Sequence, residues 1–405
     1  MKSSTIFKLL IAVCLMAAPI CITRTYFSFS SIWNYILGTA FLLYLVSKAK
    51  YISYNKRLLY LVVYSIIYIL LKTLLFNWWN KDITLNMFSD MIQEIFSLFY
   101  LMIALLVLNI QNDTQKIWFQ FLYYIACCVV FTAIVFNLIT RAPFITMDLE
   151  GYSVSAFPLL GNINTDVSSS DMWCRPTWFF FEASYLGYFL GYNMVMGYIY
   201  WKQNRQIKRF LVYLLAFLLT QSYTGYACVL LGFILSYLTK KKIFNKVIAI
   251  CCLPLFLSFY FGFDKTIITD NKYTQTASIG DRQDRIGMAY EELATYNTTE
   301  LILGRGIDRL TDLGRGVANA YFKMLISNGV MLLVSFFIIL YKIHKNSYYE
   351  FYFALFAFNS TEIALTPIVL LAFLVTSYFY ANNKISYTKR KNILDKIMEL
   401  AIVHK

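Results

Sequence analysis

The stretch from Asp264 to Ala318 holds seven lysines and arginines, among them Arg282, Arg285, Arg305, Arg309 and Arg315. A guanidinium presents a planar fork of donors that matches the oxygens of phosphate, so arginines gathered in one loop suit an anionic ligand. Within the stretch, Ile286, Ala289, Tyr290, Leu293 and Tyr296 recur at helical spacing, which predicts an amphipathic helix over 281–300. Ser278 and Asp281 offer caps and Gly304 a stop. Arg282 and Arg285 then lie one turn apart at the helix start, where unpaired backbone N–H groups and the positive end of the dipole favour anions. Salt bridges to Asp281 or Asp284 are the plain alternative for this pair. After Gly304-Arg305-Gly306, Asn319, a candidate substrate contact, and Lys323 follow at i, i+4 on one face of the next apolar run, and Lys323 also fits a snorkelling role.

A second group of candidates lies in CRPTWFFFEASYLGYFLGYN, residues 174–193. Pro176 suits the first turn of a helix, which predicts Arg175 at the helix mouth and Glu182 seven residues on, on the same face; Asn193 continues that face. A carboxylate inside a span costs several kcal/mol unless it meets a polar cavity or a partner, which makes Glu182 either a site residue or half of a structural ion pair. Arg175 as an interface anchor is the alternative on its side. Lys72 and Glu94, in other apolar runs, read as snorkelling side chains.

The elements that must position these groups are apolar helices. The chain has 405 residues, 59% hydrophobic, 19% aromatic and 14% charged, with a mean hydropathy of +0.57, far from the composition of soluble domains. Runs long enough to cross a bilayer appear near 4–22, 30–47, 58–76, 91–110, 117–139, 178–200, 243–263 and 318–341. Two longer stretches, 210–238 and 348–380, carry polar breaks at 221–225 and 359–362 and are flanked by basic residues on both sides. Each is therefore predicted to enter and leave on one side as a hairpin of short helices. The expected fold is an all-α polytopic membrane protein of about 12 transmembrane helices, a single domain over 1–405, with both termini cytoplasmic. Its partly helical periplasmic loops, 141–177 and 264–317, contribute the site.

The basic segments 48–57, 201–209, 239–246, 342–347 and 384–405 all fall on the cytoplasmic side in this count, so the net charge of +14 reflects topology and not nucleic-acid binding. The arginines of 264–317 stand on the opposite, normally charge-poor side. An uncleaved first helix is preferred to a signal peptide, because removing it would put 48–57 on the wrong side. Of eight cysteines only Cys174 lies in a loop, so no disulfide framework is expected. The loops contain no Asp-x-Asp and no His/Cys cluster, and neither metal nor other cofactor is expected.

In order, spacing and sidedness, four segments together resemble the O-antigen polymerase (Wzy type) and ligase superfamily of bacterial inner-membrane glycosyltransferases. They are RPTWFFFEASYLG, LTQSYTGY at 219–226, the segment beginning DRIGMAYEEL at 284 and ending ILGRGI at 307, and NAYFKMLISNGV at 319–330. The resemblance implies a transferase acting on undecaprenyl-pyrophosphate-linked oligosaccharide at the periplasmic face. Membrane lipid surrounds it, with a chain-length regulator and a flippase as possible partners. It also implies that Arg285 and Arg175 hold the departing pyrophosphate, aided by Arg282 or Arg305, with Glu182 as proton acceptor or as orienter of an arginine. Asp264, Asp281, Asp284 and Asp308 remain rivals for the acceptor role. Ligases of this superfamily place a His before the Asn of VANAYF; this chain has Ala318 there, which favours a polymerase over a ligase transferring glycan to a lipid core. A lipid-linked oligosaccharide flippase is the further alternative, disfavoured by the long outer loops.

Overall fold

The computed structural model describes residues 56–80, 95, 98, 102, 113–140, 145–149, 152–157, 161–164, 174–178, 180, 183–243, 245–251, 285, 287–305, 319–360 and 367–382. Most of these are helical. The expected spans at 4–22, 30–47 and 91–110, and the basic tail 384–405, fall wholly or largely outside them, as do Glu182 and Arg282.

Among the described residues the long apolar runs are helices. α1 covers Lys56–Asn80 and α2 Asp113–Ile134, which continues as a π-helical turn over Val135–Thr140. The sixth run is α3 (Ala183–Tyr192) followed by α4 (Met194–Gln203), joined at Asn193. The two stretches with polar breaks each form a pair of helices, α5 (Ile207–Leu219) and α6 (Tyr223–Lys240), then α10 (Tyr349–Ala357) and α11 (Pro367–Asn382). Between them lie α7 (Lys246–Cys251), a helix over 287–294, α8 (Thr298–Leu303) and α9 (Ala320–Ile343). Among the described residues two helical stretches, Trp118–Ile139 and Ala320–Ile343, are long and apolar enough to cross a membrane.

The break at 220–222 is built locally. Thr220 turns its hydroxyl back to the Phe217 carbonyl at 2.7 Å, Gln221 takes a positive φ of 47°, and the Ser222 hydroxyl caps α6 by accepting from the Gly225 N–H at 3.1 Å. The second hairpin closes at its base, where the Tyr380 hydroxyl donates to the buried Glu350 carboxylate at 2.8 Å. The aromatic content fills the core: Trp118 meets Phe189, Phe119 stacks on Tyr200, and Tyr192 lies among His344, Phe353 and Phe373.

Several expectations are corrected here. The loop 141–177 is not helical where it is described. It forms a four-stranded antiparallel sheet in the order β1-β2-β3-β4, with β1 Ile145–Leu149, β2 Tyr152–Phe157, β3 Gly161–Asn164 and β4 Arg175–Trp178. Alternating apolar and polar residues in Ile145-Thr146-Met147-Asp148-Leu149 and in Tyr152-Ser153-Val154-Ser155-Ala156 carry the period of two that favours strands. Pro176, expected to open a helix, sits opposite Ile163 in β4, an edge strand, where a missing N–H costs little. Arg175 stands in a strand and the described helix runs from Ala183, so the seven-residue spacing of Arg175 and Glu182 does not place them on one helix face.

A further correction concerns Lys72. Instead of snorkelling it is 6% exposed, and its ammonium donates to the Ser327 carbonyl and to the Asn328 side-chain oxygen at 3.1 Å. The outer helix expected over 281–300 is also two helices, because the chain leaves the helix after Ala294 and re-enters at Thr298.

Candidate functional site

Arg175 lies exposed on β4, and its backbone is held on several sides. The amide of Asn137, in the π turn after α2, donates to the Cys174 carbonyl at 3.0 Å and accepts from the Cys174 N–H at 2.7 Å, copying a strand partner. β3 pairs Asn164 with Arg175 across the other edge. Trp178, buried and with φ of 51°, packs between Phe121 and Phe180 and turns the chain toward α3. A π turn and a non-glycine residue at positive φ flanking one arginine are the kind of local strain found at functional sites.

Below this strand, α3 meets both hairpin tips. Gly187 lies so close to the first tip that a Cβ there would stand 2.4 Å from the Ser222 Cβ. One residue on, the Tyr188 hydroxyl is 2.6 Å from that of Ser360, at the second tip. Asn359 beside it receives both N–H bonds of the Asn319 amide, at 2.8 Å each, through its backbone and side-chain oxygens. The Asn319 oxygen accepts from the Tyr321 and Phe322 N–H groups at 2.9 and 3.1 Å and so caps α9. Asn319, singled out as a substrate contact, therefore has its amide committed to a bracket between α9 and the second tip. Asn193 is likewise internal: it accepts from the Trp118 indole at 3.1 Å and donates to the Phe189 carbonyl at 2.8 Å.

The segment 285–305 docks at the same end of the bundle. Tyr290 rests edge-on against Phe322 in the first turn of α9, with ring centroids 4.9 Å apart. Half-buried Arg285 stands near the start of the helix over 287–294. An unbroken series of contacts thus runs from β4 through α3, the second tip and the cap of α9 to the helix that follows Arg285. The two arginines ride on different elements at one end of the molecule.

Arg305, also expected to meet substrate, has all five N–H donors occupied from within the segment. Two go to Glu300 at 3.0 Å each, one to Glu292 at 3.0 Å, and two to the hydroxyl and carbonyl of Thr295 at 2.8 and 2.9 Å. Its guanidinium also lies 4.3 Å from the centroid of the Tyr296 ring. The hydrogen bond from Arg305, then the Asn297 backbone N–H, hold the Glu300 carboxyl below its ordinary range, and the same Glu300 bond raises the Arg305 pKa. Glu300 also completes a capping box with Asn297 at the start of α8. Arg305 is a staple that fixes the shape of the segment carrying Arg285.

Residues not foreseen as part of this region are Asn137, Tyr188 and Ser360. Of these only Ser360 carried a signal in the sequence, as part of the polar break at 359–362. Among the described residues no group of His, Cys, Asp and Glu side chains is placed to hold a metal ion. No protein-family description, curated protein or solved structure matches this chain.

Proposed function

We propose that this chain is a polymerase of surface polysaccharide, joining oligosaccharide repeat units carried on undecaprenyl pyrophosphate at the periplasmic face of the bacterial inner membrane. In this reading the bundle has about 12 spans with both termini cytoplasmic, and the end bearing the sheet and the segment 285–305 is periplasmic. The observation that carries the reading is that two arginine-bearing segments of a strongly apolar, mostly helical chain, β4 and 285–305, are joined by a series of contacts through α3, the second break at 359–360 and the start of α9.

The acceptor sugar hydroxyl oxygen forms a bond to the anomeric carbon of the growing chain while the bond from that carbon to the pyrophosphate oxygen breaks. Negative charge grows on the leaving diphosphate, so guanidinium groups bind the transition state better than the ground state. Arg285 and Arg175 are assigned that role, with Arg282 beside them. Glu182 takes the hydroxyl proton or orients an arginine. No cofactor is invoked.

A ligase reading asks for an imidazole at the loop end. His344 instead lies buried at the far end of α9, bonded to the Tyr192 hydroxyl at 2.7 Å and the Leu340 carbonyl at 2.8 Å. The test is the surface-glycan ladder of a cell lacking the gene. Lipid core bearing one repeat unit supports the polymerase, whereas core with no repeat supports a ligase and overturns it. Arg285→Ala and Arg175→Ala should abolish elongation with the protein still abundant in the membrane; normal polymer from both removes the site.

A further inference from the structure

α9 is interrupted inside its apolar run. Gly329 has φ 72° and ψ −176°, so the carbonyls of Ile326, Ser327 and Asn328 lose the partners at 330–332 that an unbroken helix would supply. Each finds a donor from another part of the chain. The Ile326 carbonyl accepts from the Arg305 backbone N–H at 2.9 Å and the Tyr296 hydroxyl at 3.2 Å, the Ser327 carbonyl from the Lys72 ammonium, and the Asn328 carbonyl from the Tyr68 hydroxyl at 3.0 Å. Irregular backbone within a helix this apolar persists only where such partners exist.

The gap in α9 is filled by backbone. Gly304, at φ 72°, approaches so closely that a Cβ on it would lie 2.5 Å from Ser327 and Asn328 main-chain atoms, and one on Gly329 would lie 2.1 Å from the Ile302 oxygen. Tyr68 also reaches the Ile302 and Leu303 carbonyls, at 3.4 Å each. α1 thus grips both halves of a junction in which the segment 302–305 is seated in a broken helix.

We infer that Lys72 is a positioning residue: its buried ammonium holds the break in α9 in the shape that receives Gly304, and so fixes the segment that presents Arg285. The catalytic part of this inference rests on the function proposed above; the latch does not. Two donors come from α1 and two from the docked segment, so the junction ties α1, α9 and the 285–305 segment into one unit. Loss of the ammonium leaves the Ser327 carbonyl buried without its charged partner, and docking of the segment weakens.

The test is hydrogen exchange on the full-length protein in detergent, with Lys72→Met and Lys72→Arg, beside the surface-glycan ladder of cells carrying each variant. Lys72→Met should speed exchange over 298–305 roughly tenfold and leave 207–240 unchanged. It should also shorten or abolish the ladder, and Lys72→Arg should restore both in part. Unchanged exchange over 298–305 overturns the latch. Faster exchange through 207–240 as well shows a general stability role and overturns positioning, as does a normal ladder above a loosened segment. A ladder indifferent to deletion of the gene overturns the proposed function and leaves the latch to be judged by exchange alone.

Discussion

Gly329→Ala and Gly287→Ala make the same chemical change at two glycines in helices, and opposite results are expected. At Gly329 a Cβ would stand 2.1 Å from the Ile302 oxygen, 2.4 Å from its carbonyl carbon and 2.7 Å from the Gly304 nitrogen, all backbone atoms that cannot rotate aside. The positive φ of 72° alone costs an L-residue roughly 1–2 kcal/mol. Relieving the clash means withdrawing 302–305, which gives up the Arg305 N–H bond to Ile326 and the Tyr68 contacts to Ile302 and Leu303. With about 1 kcal/mol for the lost Arg305 bond added to that strain, and the single Tyr68 proton already directed at the Asn328 carbonyl, the junction should weaken by roughly 2–3 kcal/mol. At Gly287 nothing lies within 4 Å of a new Cβ, and alanine should stabilise that helix by roughly 0.5–1 kcal/mol. Hydrogen exchange of the purified protein reads both changes, through loss of protection at 302–305 in one and added protection at 287–294 in the other. Full protection of 302–305 in Gly329→Ala would refute the account of the broken helix.

Asn137→Ala removes both bonds to the Cys174 backbone, so exchange at 174–178 should rise and polymer length fall, with α5 and α6 unaffected; an unchanged strand would show that β3 pairing suffices. Because Glu300 has a folded pKa below its ordinary 4.5, its bonds to Arg305 contribute stability that is present above about pH 4.5 and is lost as the pH falls through the lowered value. Proteolysis of the 285–305 segment should therefore increase in acid, and Glu300→Gln should flatten that dependence. Tyr192→Phe removes the hydroxyl set 2.7 Å from the His344 ring and 2.8 Å from Thr376, and leaves a buried acceptor unmet. A loss of about 1–3 kcal/mol is expected in thermal unfolding, with no change in ladder pattern once abundance is matched.

The helices were legible because their signal is local. Apolar runs such as 117–139 and 318–341 state their own length, and a polar break flanked by lysines, as around Gln221 and Ser222, marks a hairpin. The sheet carried an equally local signal in the alternation of residues 145–149 and 152–156, a period of two that favours strands. Pro176 shows where local reading ends. A proline without an N–H fits the first turn of a helix and an edge strand equally well, and the Ile163 pairing decides between them. Lys72 is harder still. Its partner is 255 residues away, and a lysine toward the end of an apolar helix has the same sequence environment whether it reaches for water or for a carbonyl inside the bundle.

Arginine chemistry explains why the candidate site was only partly readable. A guanidinium fork suits a carboxylate and a phosphate alike, so sequence finds the cluster without sorting its members. The structure sorts one of them. Arg305 lies five residues after Glu300, and Glu300 stands at the third position after the Asn297 cap, a pattern that a capping-box reading detects. Its donors are filled by Glu300, Glu292 and Thr295, so it shapes the segment; Arg175 stands exposed on an edge strand clamped by Asn137. A loop that is to neutralise a departing diphosphate must hold its shape before the ligand arrives, or binding energy goes into ordering the loop instead of lowering the barrier. The Arg305 staple, the Gly304–Gly329 contact and the Lys72 ammonium supply that order without drawing on the ligand. In the proposed function positive charge thus divides between Arg305, which fixes the fold of the segment, and Arg285 and Arg175, which are assigned to the chemistry.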